Sequence, residues 1–237
     1  MSNNRPLVSV LTPTYNRRKF IPYLIKCFKS QGYPQARMEW IILDDGTDKV
    51  GDLFAASGLT NVRYYAEDIK LNIGAKRNKL NEMAKGEIIV CMDDDDYYPP
   101  ERVAHVVTQL LAKPQYEICG SSELYMFFSD NKKIYKIGPY HPNHATNGTF
   151  GYRRRYFDTH KYDEYVTHAE ETSFLNKYTE PMLQLDPRKV MLVMSHSENT
   201  FDKRKLREQT NPMFKETAMK IRQFVDDAEL RTFFSTA

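Results

Sequence analysis

Short apolar runs of strand length alternate with longer amphipathic stretches through the first half of the chain, and this alternation constrains the fold more than any other feature. Residues 7–11 form the first run; Phe20, Ile21, Leu24, Ile25 and Phe28 then recur at helical spacing up to Gly32. Residues 40–43 form the next run and stop at Asp44-Asp45-Gly46. Residues 62–65 form a third, after which Ile73, Arg77, Leu80 and Ala84 trace one helix face that closes before Gly86. Residues 87–92 form a fourth run, ending in aspartates. Val103, Val106, Val107, Leu110 and Leu111 then mark an amphipathic helix stopped near Pro114, and residues 117–119 resume an extended run. This order predicts a single-domain α/β fold: a mainly parallel central sheet with helices on both faces.

In open α/β sheets, ligands bind in the crevice beyond the carboxyl ends of the strands. Polar clusters fall at such ends here: Thr12-Pro13-Thr14-Tyr15-Asn16 after the first strand, Asp44-Asp45 after the second, and Asp93 to Asp96 after the fourth. Each alone reads as an ordinary turn or cap. Together they are expected to converge on one edge. Adjacent carboxylates repel and raise one another's proton affinity unless a cation offsets them, so the four aspartates call for positive charge.

Composition narrows the class. The 237 residues are 41% hydrophobic, enough for a sizeable core, and the net charge of +3 is too small to argue for nucleic acid. Cys27, Cys91 and Cys119 are widely spaced in apolar surroundings, which predicts neither a disulfide framework nor a zinc site. With no signal-peptide-like start and no apolar run of spanning length, the expected location is cytoplasmic.

A divalent ion such as Mg²⁺ or Mn²⁺ takes hard oxygen ligands, commonly one or two carboxylates plus substrate phosphates. Asp93 and Asp95 are alternate residues of an extended segment, which directs both carboxylates to the same side. Asp45 could accept the N3–H of a uracil ring, a task for an acceptor-only side chain. Arg77 falls on the otherwise apolar face with Ile73, Leu80 and Ala84, where a guanidinium needs a partner; a diphosphate or an acid would serve.

The stretches VSVLTPTYNRRKFIPYLIKCFKSQ, WIILDDGTD and NIGAKRNKLNEMAKGEIIVCMDDDDYYPPERV together resemble the family-2 nucleotide-sugar glycosyltransferases of GT-A fold, in order and spacing over residues 7–103. The resemblance implies that Thr12, Pro13, Tyr15 and Asn16 line the nucleotide pocket and that Asp45, aided by Asp44, meets the base. It implies that Lys76, Arg77, Asn78 and Asp94 lie by the nucleotide, and that Asp93 and Asp95 hold the metal. Asp96 matches the second acid of the family's Asp-Asp pair and would orient ligands from behind.

VTHAEETSFLNKY resembles the Glu-Asp motif in which the family carries its catalytic base, with Glu170-Glu171 in its place; Glu171 is favoured and Glu170 is the alternative. Two acids in a first helical turn are also ordinary dipole complements. His196, in the stretch His-x-x-Asn-Thr, is similar to the C-terminal histidine that many GT-A enzymes bring to the metal or diphosphate. His141 and His144 receive no role, and Asn147-Gly-Thr is formally a glycosylation acceptor. From Asn211 the pattern suggests a helix with Met213, Ala218, Ile221, Phe224 and Val225 as its apolar positions, packed on the domain in preference to an anionic membrane.

The resemblance thus implies a metal-dependent, inverting glycosyltransferase, with Mn²⁺ or Mg²⁺ as cofactor, a UDP-sugar as donor and a glycan or other hydroxyl compound as acceptor. Residues 1–120 would bind the nucleotide, 121–200 the acceptor, and 201–237 would form a helical tail. The alternatives are a sugar nucleotidyltransferase, against which the absence of a glycine-rich, arginine-bearing phosphate cradle in the first loop argues, and a non-catalytic nucleotide- or sugar-binding module.

Overall fold

The computed structural model describes residues 5–167, 169–199, 203–207 and 211–236. Its first half follows the expected order: β1 (Val8–Thr14), α1 (Ile21–Lys29), β2 (Met38–Asp44), α2 (Gly51–Ala56), β3 (Val62–Ala66), α3 (Ile73–Met83), β4 (Ile88–Cys91) and α4 (Arg102–Ala112). The second half continues with β5 (Ile118–Gly120), β6 (Leu124–Phe128), β7 (Lys133–Ile137), β8 (Gly151–Arg153), α5 (Tyr156–Thr159), α6 (Glu171–Phe174), β9 (Met182–Gln184), β10 (Leu192–Ser195), β11 (Phe214–Glu216) and α7 (Ala228–Thr236).

The central sheet has seven strands in the order β3-β2-β1-β4-β8-β5-β9. Strands β1 to β4 are parallel, and β8 enters antiparallel between β4 and β5. Both faces are covered because side chains alternate across each strand. Val8, Val10, Trp40, Ile42, Ile88 and Val90 pack with Ile21, Leu24 and Phe28 of α1 and with Val103, Val106 and Leu110 of α4. Leu11, Ile41, Leu43, Ile89 and Cys91 pack the opposite way, with Leu80 of α3, Tyr156 of α5 and Phe174 of α6. The three cysteines are buried and unpaired.

Three features depart from the expectation. Helix α2 and strands β6, β7 and β11 of a four-stranded sheet ordered β10-β6-β7-β11 had no clear periodic signal, being elements of three to six residues. The cluster Thr12-Pro13-Thr14 is not a loop: β1 runs through it, paired with β2 as far as Thr14 opposite Asp44. Pro13 is tolerated because β4 pairs only up to Leu11, so β1 has a single neighbour there. Finally, the tail is not one helix from Asn211. Residues 214–216 add β11 to the second sheet, where Phe214 stacks on Tyr135 with centroids 4.8 Å apart, and the helix begins only at Ala228. Leu230 and Phe234 of α7 are buried in the main core, so this segment packs on the domain. No helix among the described residues is long and apolar enough to cross a membrane.

Candidate active site

The ends of β1, β2 and β4 meet, and ion pairs stitch them together. Lys76, on α3, donates to Asp45 at the end of β2 and to the Thr14 carbonyl of β1 (3.2 Å). One residue on, Arg77 donates from Nη1 to Asp93 Oδ1 (3.0 Å) and from Nε to Glu170 Oε1 (2.8 Å). A single buried guanidinium therefore links the tip of β4 to the acids at the start of α6. Burial would weaken its hold on the proton, but Asp93 and Glu170 outweigh that and push its pKa further up. Asn147 completes its surroundings: in the amide orientation that satisfies both neighbours, Oδ1 accepts from Arg77 Nε (2.9 Å) and Nη1 (3.1 Å) while Nδ2 donates to the Tyr162 hydroxyl (3.0 Å). Asn147 is thus buried against Arg77 and Tyr162.

The acid tip is a turn, not the extended run that would set Asp93 and Asp95 side by side. Asp93 is taken by Arg77, while Asp94 and Asp95 share Arg17, at 3.5 Å and 3.4 Å. His196 comes to this tip, its Nε2 lying 3.2 Å from Asp95 Oδ2, and Asn199 Nδ2 donates to the same oxygen at 3.2 Å. Thr200, the last residue of that motif, lies outside the described residues. Asp96 accepts from the Met194 amide of β10 (2.7 Å) and so fixes the strand that delivers His196.

Electrostatically the tip is short of positive charge. Burial, with Asp95 adding repulsion, pushes the Asp94 carboxyl well above the carboxylate range, and burial pushes Asp96 up likewise against the pull of Lys203. Asp95 is also buried, yet the His196 hydrogen bond together with Lys203 and Arg17 holds it low. Among the described residues no three His, Cys, Asp or Glu side chains are gathered in ligating geometry. The donor chemistry nonetheless fits a hard divalent cation: Asp95 and His196 already meet, and buried carboxylates that resist ionising lack the charge such an ion carries.

The two candidate bases differ. Glu170 is ion-paired to Arg77, whereas Glu171 has no ion pair among the described residues. Burial, reinforced by Glu170, pushes the Glu171 carboxyl to about 7. A base poised near neutrality is the better proton acceptor at that pH.

Several residues expected at the nucleotide have structural duties. Thr12 is fully buried, donating to the Met92 carbonyl (2.7 Å) and accepting from Trp40 Nε1 (2.9 Å). Asp44 accepts from the amides of Gly46 and Val50 (both 2.9 Å) and from the Tyr64 hydroxyl (2.6 Å), and so caps its own loop. Asn16, at φ +54°, accepts from the amides of Thr47 (2.8 Å) and Asp48 (3.0 Å). Gly46 is required there, since a Cβ would come within 2.6 Å of the Asn16 nitrogen. Asn78 clamps the loop before α6, exchanging hydrogen bonds with the Tyr162 backbone (2.9 and 3.0 Å). Asp45 has one oxygen on Lys76 and the other on the Leu71 amide (2.7 Å). Tyr15 is half-buried, with Lys70 Nζ 4.2 Å from its ring centroid. Arg17 and Asn147 were missed; the sequence signal for Arg17 was its place directly after the first strand's polar cluster.

A Rossmann-like sheet whose strand ends gather acids, cations and a raised carboxyl on one edge defines a GT-A type fold. The Glycosyl transferase family 2 model matches residues 9–168, and the chain belongs to that family. TuaG of Bacillus subtilis (strain 168), a glycosyltransferase named for teichuronic acid biosynthesis, is 34% identical over 106 residues, which are 44% of this chain and 41% of TuaG. The poly(ribitol-phosphate) beta-N-acetylglucosaminyltransferase TarS of Staphylococcus aureus (strain Mu50 / ATCC 700699) is 30% identical over 104 residues, 39% of this chain and 17% of TarS. The matches thus span less than half the length of these relatives. Among solved structures, the mannosyltransferase PcManGT from Pyrobaculum calidifontis in complex with GDP-Man and Mn²⁺ superposes with a TM-score of 0.66 at 17% identity, over 83% of this chain and 59% of that one. TarS 1-349 of S. aureus in complex with UDP-GlcNAc gives 0.62 at 16%, over 81% and 60%. These structures share the fold.

Proposed function

We propose that this chain transfers a sugar from a nucleotide-linked donor, a UDP-sugar first among the candidates, to a hydroxyl of a glycan or other acceptor, with inversion at the anomeric carbon. The observation that carries this reading is Arg77, which couples the acid tip of β4 to the Glu170-Glu171 pair across the strand-end crevice. Glu171 takes the acceptor's hydroxyl proton as that oxygen bonds to the anomeric carbon, and the bond to the nucleoside diphosphate breaks with its electron pair leaving on the diphosphate. No enzyme nucleophile is needed, which gives a single displacement and inversion. Asp95 and His196, with Asp93 or Asp94, would hold Mn²⁺ or Mg²⁺, which supplies Lewis-acid neutralisation of the departing diphosphate. The neighbours crystallised with GDP-Man and Mn²⁺ and with UDP-GlcNAc support donors and ions of this class. Residues up to about 120 form the nucleotide half in this reading, and those from about 121 to 200 the acceptor half.

The test is a calorimetric screen of UDP-, GDP- and dTDP-sugars with and without Mn²⁺, followed by donor-hydrolysis assays on the wild type, D95N and E171Q. The transferase reading expects D95N to lose donor binding and turnover, and E171Q to lose turnover while still binding donor. A wild type that binds a nucleotide sugar but never breaks it would instead be a binding module. Formation of the sugar nucleotide from a sugar phosphate and a nucleoside triphosphate would mark a nucleotidyltransferase.

A further inference from the structure

In the run Arg17-Arg18-Lys19, only Arg17 turns toward the acids. Arg18 faces outward to Asp48 (2.8 Å) and Asp52 (2.9 Å), and Lys19 pairs with Glu198 (2.5 Å). The Arg17 side chain is 14% exposed and spans Asp94 (3.5 Å) and Asp95 (3.4 Å). Its Nη1 also donates to the Glu198 carbonyl (2.6 Å), which ties the loop carrying His196 and Asn199 down over the tip. Its guanidinium carbon lies 5.6 Å from the Phe20 ring centroid, and that ring packs on His196 with centroids 4.6 Å apart. Arg17, His196 and Asn199 therefore converge on one oxygen, Asp95 Oδ2.

Resting on the proposed function, we infer that Arg17 is a resident counter-charge that competes with the divalent cation for Asp94 and Asp95, and that it becomes a positioning cation for the donor's diphosphate once released. The physical reason is exclusion. Two positive centres within about 4 Å of the same partly desolvated carboxylates repel each other, so a dication gains Asp95 only as the guanidinium lets go. A planar fork freed at that point carries five N–H donors suited to bidentate contact with phosphate oxygens. Asp95 would thus keep a cationic partner before the nucleotide arrives.

The experiment titrates Mn²⁺ alone into the wild type, R17Q, R17K and D95N, following free Mn²⁺ by electron paramagnetic resonance, and then titrates UDP at saturating Mn²⁺. Circular dichroism and the thermal midpoint in EDTA establish folding. The expected result is that R17Q binds Mn²⁺ about five- to tenfold more tightly than the wild type, the size of one partly exposed ion pair removed, and binds UDP more weakly at saturating Mn²⁺. R17K, which keeps the charge without the fork, is expected to fall between. Equal or weaker Mn²⁺ binding by R17Q, with D95N losing the ion, overturns the role of Arg17 and leaves the proposed function standing. If neither the wild type nor R17Q binds Mn²⁺, with or without UDP, both the competition and the metal-dependent part of the proposed function are overturned.

Discussion

Arg77 Nε lies 2.8 Å from Glu170 Oε1, joining two residues 93 positions apart in the chain, and the same guanidinium reaches Asp93 at 3.0 Å. Removing it leaves two carboxylates facing each other with little water to screen them. R77A is therefore expected to lower the unfolding free energy by about 3–5 kcal/mol, the usual consequence of stripping one partner from a buried pair. Urea denaturation would check this. A midpoint equal to that of the wild type would mean that the pairs contribute nothing.

Because Glu171 titrates near 7, a reaction that needs its ionised form should slow as the pH falls through about 7, with the slope of a single proton. Donor hydrolysis at saturating donor measures this, and E171Q should be inactive across the range. Stability should move the opposite way. A carboxyl raised from 4.5 holds its proton more tightly in the native state than in the unfolded chain, so wild-type stability should rise as the pH drops from about 7 towards 4.5. E171Q should lack that increment. An unchanged rate from pH 8 to pH 5.5 would remove Glu171 as the base.

The half of the fold that sequence made legible is the half built from long, periodic elements. Trp40, Ile42, Val90 and their opposite-facing neighbours Ile41, Leu43 and Ile89 announce strands buried on both faces, and Leu80 and Val106 sit on helix stripes. Strands of three residues such as β8 and β11 leave no period to detect, and their pairings are set by residues far away in the chain. At the site, the aspartates were readable from residue type at strand ends, Arg77 from its place on an apolar helix face, and Glu170, Glu171 and His196 from the resemblance. Which carboxylate meets which cation was not. That depends on the turn at Asp94-Asp95 and on Arg17 rotating inward, geometry that emerges only when β1, β4 and β10 are packed together.

Gly74 lies in the first turn of α3, where alanine would ordinarily stabilise a helix by about 0.5–1 kcal/mol. Here a Cβ would collide with the backbone carbonyl of Asp163, in the loop that Asn72 holds through the Glu164 carbonyl (3.1 Å) and Asn78 through the Glu164 side chain (3.0 Å). G74A should thus reverse the usual sign and cost about 1–3 kcal/mol through overpacking. The displaced loop leads directly into Glu170-Glu171, so turnover is expected to fall more than donor affinity. Thermal denaturation with donor-hydrolysis kinetics would test both, and a stabilised G74A would refute the contact.

Asp96 offers a sharper separation of charge from geometry. It is 7% exposed, burial pushes its carboxyl up, and its oxygen accepts the Met194 amide at 2.7 Å, two residues before His196. Asparagine keeps an acceptor of the same shape and mimics the protonated acid, so D96N should hold β10 in place and change Mn²⁺ affinity little. Alanine leaves a buried N–H without a partner, worth about 1–3 kcal/mol of stability, and frees the end of β10 to carry His196 away from Asp95. D96A should therefore weaken Mn²⁺ binding as well as the fold. If D96N and D96A lost the ion equally, Asp96 would be acting through its charge, and the anchoring of β10 would not be its function.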